Sequence, residues 1–259
     1  MLAYEELTMR IIISPAKKMN VDTDSLSCQS LPVFIQQAEL LANHLKAMSY
    51  ADLKKIWKCN DKIAALNVQR LQNMNLRKNL TPAILAYEGI QYQYMAAGVF
   101  TDQEFAYVQE HLRIISGFYG ILKPFDGVVP YRLEMQAKIR IGEVGNLYDY
   151  WGNLPATLLS QETDCIINLA SKEYSTCISR YLPASVRLLT CIFGEELDGK
   201  IIEKGTMCKI ARGEMVRFMA ESQITNPEQI KTFDHLHYRF APQYSNENKF
   251  VFTRNATKD

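Results

Sequence analysis

No two of the six cysteines are spaced C-x-x-C, and their pattern fits no zinc-site template. That excludes the common small zinc modules and a thioredoxin-like redox pair. The thiols at 28, 59, 165, 177, 191 and 208 instead predict a reducing cytoplasm, with most of them buried. Histidine is scarce. His44, His111, His235 and His237 form no HExxH, although His235 and His237 would share a face on a strand, so neither a metal nor a cofactor is expected. Long hydrophobic runs are missing too. Ile11 to Ile13 is far too short for a secretory signal or a membrane span, and no membrane partner is expected. Internal repeats, low-complexity tracts and clean linkers are absent, which favours one domain. Residues 1–8 read as an N-terminal appendage, and 9–259 as a single domain.

What is present is an ordinary globular balance, 47% hydrophobic and 22% charged, over 259 residues. Net charge is only +1, so the total does not announce a nucleic-acid binder. Its distribution is uneven. Lys46 to Lys78 holds eight basic residues against Asp52 and Asp61, a local +6 that leaves −5 for the rest. Such asymmetry permits an anion-binding face, although charge runs are more often simply solvated.

The β-branched run Arg10–Ile13 predicts a buried strand, stopped at Ser14-Pro15. Apolar spacing predicts a helix over 33–48. Ser49 and Asn60 are N-caps for two more, and Thr101 to Glu104 is a capping box. A helix is expected to continue to about Ile115, followed by a tight glycine hairpin. Asp164 to Leu169 reads as a strand. Val186–Phe193 and Lys200–Cys208 read as paired strands turning at Asp198-Gly199. Ala211–Ile224 reads as a helix, Asn226-Pro227 as a helix start, and 249–253 as a final strand.

Five runs carry candidate chemistry. Ser14-Pro-Ala-Lys17 sits at a strand end, where α/β proteins gather ligands, and its S-x-x-K spacing occurs in some acyl enzymes; a plain strand-ending turn explains it equally. Gly117-Phe-Tyr-Gly120, flanked by Arg113 and Lys123, has the form of the hairpin in a helix-hairpin-helix motif. Glycines there let successive amides face one phosphate, but a structural turn has the same form, and Pro124 leaves little room for a second helix. In Pro130 to Met135, alternation puts Arg132 and Glu134 on one face, able to pair. Asn168 to Tyr174 follows a strand, with Ser171 a possible N-cap. Lys209, Arg212 and Arg217 lie near a helix start, which suits an anion.

Taken in order, these runs resemble the YaaA peroxide-stress protein family. The matching stretches also include Ala83 to Gly89 with Tyr92, Leu147-Tyr148 with Trp151-Gly152, Ile167 to Ser171 with Glu173-Tyr174, Ala211 to Gly213 with Arg217-Phe218, and Pro227-Glu228 with Phe233. The resemblance implies a monomeric mixed α/β (α+β) "cantaloupe" fold with a helix-hairpin-helix-like element. It implies survival of hydrogen peroxide, limitation of iron-driven DNA damage, and DNA binding through a basic cleft. Two departures stand out. Gly89-Ile-Gln-Tyr92 replaces the family's Gly-Asp-Val-Tyr, removing an acid. Lys209-Ile-Ala-Arg-Gly replaces Lys-Lys-Ala-Arg-Gly, removing a positive charge.

The leading expectation is therefore a structure-selective, sequence-independent DNA binder, with Arg113, Gly117, Tyr119, Gly120 and Lys123 on phosphates and the 46–78 segment widening the footprint. The rival is an enzyme acting on a nucleotide or other phosphorylated small molecule. It would gather Ser14, Lys17, Arg132, Glu134, Asn168, Ser171, Lys209 and Arg212 in one cleft. A third reading is a thiol-based peroxide sensor at Cys208, beside Lys209.

Overall fold

The first strand is four residues long and buried on both faces, the signature of a central parallel strand. The structure, a computed structural model, describes residues 9–255. The expectation for residues 1–8 lies outside the described residues. In chain order the main elements are β1 (Arg10–Ile13), α1 (Ile35–Lys46), α2 (Tyr50–Trp57), α3 (Asp61–Gln72), α4 (Ile90–Met95) and α5 (Asp102–His111). Then come β2 (Leu112–Ser116), β3 (Gly120–Leu122), α6 (Leu154–Glu162), β4 (Cys165–Leu169) and α7 (Lys172–Ser179). The chain closes with β5 (Arg187–Leu197), β6 (Lys200–Ile202), α8 (Gly205–Glu221), β7 (Arg239–Phe240) and β8 (Lys249–Arg254).

The strands form one eight-stranded sheet in the order β7-β8-β5-β4-β1-β2-β3, with β6 on β5. Its five middle strands, from β8 to β2, run parallel. The fold is mixed α/β in one domain, and a single hydrophobic core runs from Met9 to Phe252. Parallel pairing brings the carboxyl ends of β1 and β4 side by side, with Ile13 opposite Leu169. The loops that leave those two ends build the site.

Local signals explain most boundaries. Ser49 Oγ accepts the Asp52 amide, Asn60 Oδ1 accepts the Ile63 amide, and the Thr101/Glu104 capping box is complete. Asp198 and Gly199 both take positive φ and close the β5–β6 hairpin. Two expectations need correction. The helix expected to reach Ile115 ends at His111, because Leu112 to Ser116 adds to the sheet beside β1. The strand expected over Lys200–Cys208 stops at Ile202, and α8 begins at Gly205.

His111 shows how burial links to stability. Its ring stacks on Tyr107 with centroids 4.3 Å apart, and its Nδ1 bonds the Met9 carbonyl at 2.8 Å. Burial pushes its pKa below the ordinary 6.5, so the fold holds it neutral. The unfolded chain binds the extra proton first. Stability from this group is therefore complete above about pH 6.5 and is lost as pH falls through the lowered value. Urea midpoints measured between pH 8 and 5 should fall less in His111→Phe than in the natural chain. Parallel curves would refute this role.

Candidate functional site

The turn after β1 and the loop after β4 meet through Ser14. Its Oγ accepts the Ser171 amide at 2.8 Å and lies 3.3 Å from Ser171 Oγ. Tyr92, on α4, donates its hydroxyl to the Ser14 carbonyl at 2.9 Å. These bonds fix the floor of a cavity of about 400 Å3. Lys17 reaches across it to Glu134, 2.9 Å away. Arg132 and Glu134 lie in an irregular extended segment, not a regular strand. The expected alternation still holds, since Tyr131, Leu133 and Met135 are buried between them. The two do not pair with each other. Arg132 donates to the Trp57 carbonyl through Nε and Nη2, both at 3.4 Å.

Lys209 and Arg212 enter from α8, which packs closely on α4. Gly213 permits that contact, because any Cβ there would overlap the Gln91 carbonyl. Seven of the eight expected pocket residues thus line one cavity. Asn168 is the exception. It is buried beneath the loop, where its Oδ1 accepts the Ala170 amide at 3.0 Å and its amide donates to Thr190 at 3.2 Å.

The electrostatics are asymmetric. Lys17, Lys18, Arg132, Lys209 and Arg212 face Glu88, Glu134 and Glu173. Glu134 is matched by Lys17 and Glu88 by Lys18. Among the described residues, neither Arg132 nor Lys209 has a carboxylate partner, and Arg212 reaches Glu203 only at 4.0 Å. Burial, reinforced by the Glu134 charge, raises the Glu173 carboxyl above its usual range. Its Oε1 accepts the Gln136 amide at 3.1 Å.

Among the described residues, two buried donors at this site find no acceptor: Nε2 of Gln91 and Nε of Arg212. Gln91 is only 7% exposed. A buried donor without an acceptor costs about 1–3 kcal/mol, so folded proteins rarely keep one without reason. Gln91 and Glu173 were absent from the expected site. Glu173 had a signal, a carboxylate in the first helical turn after Ser171. Gln91 had none, because only tertiary packing buries it.

A family model described as "Peroxide stress protein YaaA" matches residues 9–244. The chain belongs to the YaaA peroxide stress family. A UPF0246 protein of Agathobacter rectalis is 56% identical over 246 residues, covering 95% of this chain and 99% of the relative. One from Desulfitobacterium hafniense is also 56% identical over 246 residues, covering 95% and 98%. A third, from Pediococcus pentosaceus, is 51% identical over 247 residues, covering 95% and 98%. The family name supports a role for this YaaA relative in the oxidative-stress response.

Within this YaaA-family fold the glycine hairpin is structural. It joins β2 to β3, with Ser116 opposite Gly120. The amides of Phe118 and Tyr119, expected to face a phosphate, both donate to Ser116 Oγ, at 3.2 and 2.9 Å. The Gly117 carbonyl accepts Trp151 Nε1 at 3.0 Å, and Gly120 (φ +75°) lies against the Trp151 ring. Tyr119 is fully buried, its hydroxyl accepting the Val129 amide at 3.1 Å. Arg113 is buried on Glu162. Of the five residues expected on phosphates, only Lys123 is exposed. The hairpin instead supports the cavity wall. Ser116 Oγ bonds the Tyr131 hydroxyl at 2.7 Å, and that hydroxyl bonds Tyr87 at 2.8 Å.

The basic segment presents a different surface. A three-residue turn, Lys58 to Asn60, joins α2 to α3, and Lys58 adopts φ +45°. Lys55, Lys58 and Lys62 are exposed, and none pairs with a carboxylate among the described residues. Arg132 ties the carboxyl end of α2 to the cavity rim. Cys208, the candidate sensor, is buried with its thiol 3.3 Å from the Phe193 carbonyl. Burial raises its pKa, the reverse of what a peroxide-reactive thiolate needs. Among the described residues, no helix is long and apolar enough to cross a membrane.

Proposed function

We propose that this YaaA-family protein binds the DNA backbone as part of peroxide defence, using the basic α2–α3 hairpin as its main phosphate contact. The observation that carries this reading is the shape and charge of that hairpin. Two helices meet at a three-residue turn, with Lys55, Lys58 and Lys62 exposed and without a carboxylate partner among the described residues. The two helices and their short turn lie in the segment that carries the chain's surplus positive charge. Lysines are compact point charges without a bidentate fork, so they hold phosphates without reading bases. Recognition is therefore sequence-independent, through the backbone rather than the base edges.

Backbone binding also gives a physical link to iron. A protein that neutralises phosphates releases the cations condensed there, ferrous ions included. Peroxide then meets less iron on the DNA itself.

Anisotropy titration of labelled duplex, bubble and single-stranded DNA at several salt concentrations tests this directly. Three phosphate contacts on duplex DNA predict a log–log slope of about −2.7, or roughly 40-fold weaker binding between 50 and 200 mM salt. Absence of binding to all three DNAs at the lowest salt would sink the proposal.

A further inference from the structure

We propose that the cavity between the β1 and β4 ends is a separate binding site for a nucleoside monophosphate. This goes beyond the DNA reading and does not depend on it, since none of the three α2–α3 lysines lines the cavity.

The cavity volume, about 400 Å3, lies in the range that encloses a small organic ligand rather than a lone ion. Its position outside the carboxyl ends of parallel strands is where α/β sheets bind such ligands. Its surplus charge is positive, because Arg132 and Lys209 lack carboxylate partners among the described residues while Glu88 and Glu134 are already matched. That surplus selects an anion.

The unsatisfied groups refine the choice. Gln91 Nε2 and Arg212 Nε are both donors, both buried and both without an acceptor. Phosphate oxygens supply acceptors for Arg212 and Lys209. The Gln91 amide supplies a further donor, for a polar group elsewhere on the ligand, such as an acceptor on a base edge. The lining also includes apolar and aromatic residues, with Tyr92 and Tyr131 buried in the wall. Flat apolar walls with a few placed polar groups suit a heterocycle. An anion-selecting charge surplus, unsatisfied donors, aromatic side chains in the wall and a mononucleotide-sized volume together point to the ligand class.

Isothermal titration of the full chain with AMP, GMP, CMP and UMP tests this, with the matching nucleosides and inorganic phosphate as controls. At least one monophosphate should bind with Kd below about 1 mM and at least tenfold tighter than its nucleoside or phosphate, as expected when one charge-assisted contact is lost. Lys209→Ala, at an exposed position that leaves the fold intact, should weaken it about tenfold, and Gln91→Leu should flatten the preference among bases. The Lys55→Glu, Lys58→Glu, Lys62→Glu triple variant should bind the nucleotide as the natural chain does. No binding by any of the four, equal binding of phosphate alone, or a Lys209→Ala variant that binds unchanged overturns the proposal. None of those outcomes bears on DNA binding by the hairpin.

Discussion

Glu162→Ala should cost about 3 kcal/mol of stability, the low end for breaking a buried ion pair and still a large share of the 5–15 kcal/mol that holds a typical domain together. Glu162 Oε2 is shared by two buried arginines. Arg10 Nε lies 3.1 Å away, and Arg113 approaches through Nε at 2.9 Å and Nη2 at 2.8 Å. Removing the carboxylate leaves both guanidiniums in a low-dielectric setting with half their charge compensation gone. Arg10 keeps Glu110 at 3.0 Å, and Arg113 Nη1 keeps three backbone carbonyls, so the loss falls short of a bare buried charge. Glu134→Ala is the control. Its partner Lys17 is largely exposed, and an exposed pair is worth under about 1 kcal/mol. Urea denaturation should show a much lower midpoint for Glu162→Ala at an unchanged slope, and little change for Glu134→Ala. Equal midpoints for the two variants would show that the α6–β1–β2 network is not the anchor described here.

That network also explains why Arg113 does not join the cavity. Its side chain closes on Arg10 and Glu162 at the amino ends of β1 and β2, whereas Ser14 leaves the carboxyl end of β1. A parallel sheet separates those ends by the length of a strand. In the sequence, Arg113 beside a glycine pair looks like a phosphate ligand. Only the register of β2 on β1 shows that it faces a buried carboxylate.

The glycine run was ambiguous for a related reason. Gly-hydrophobic-x-Gly describes a tight hairpin equally well between helices or between strands. The preceding Leu112-Arg-Ile-Ile115 is rich in β-branched residues and decides for strands, and the Ser116 hydroxyl then satisfies the amides that a phosphate would have taken. The α2–α3 hairpin shows the converse. Both of its N-caps and its charge were legible, but its turn contains no glycine, and Lys58 occupies a left-handed position that sequence rules reserve for Gly or Asn. The cavity was the most legible part. Ser14, Lys17 and Ser171 follow strand ends that the parallel sheet brings together, whereas Lys209 and Arg212, expected near a helix start, lie in the body of α8, which begins earlier, at Gly205.

The second large effect concerns DNA. The triple variant Lys55→Glu, Lys58→Glu, Lys62→Glu reverses three exposed charges on one hairpin without touching the core. Each charged contact to a phosphate is worth about 1.5–3 kcal/mol, so losing three should weaken binding about 1,000-fold or more at low salt. Lys123→Glu changes the one exposed residue beside the glycine hairpin and should stay within about threefold of the natural chain, the range of a distant surface charge. The most direct test is therefore a side-by-side anisotropy titration of the natural chain and these two variants on one bubble duplex at low salt. Loss in the triple variant with near-natural binding by Lys123→Glu is the predicted result. Near-natural binding by the triple variant, whatever Lys123→Glu does, would contradict it.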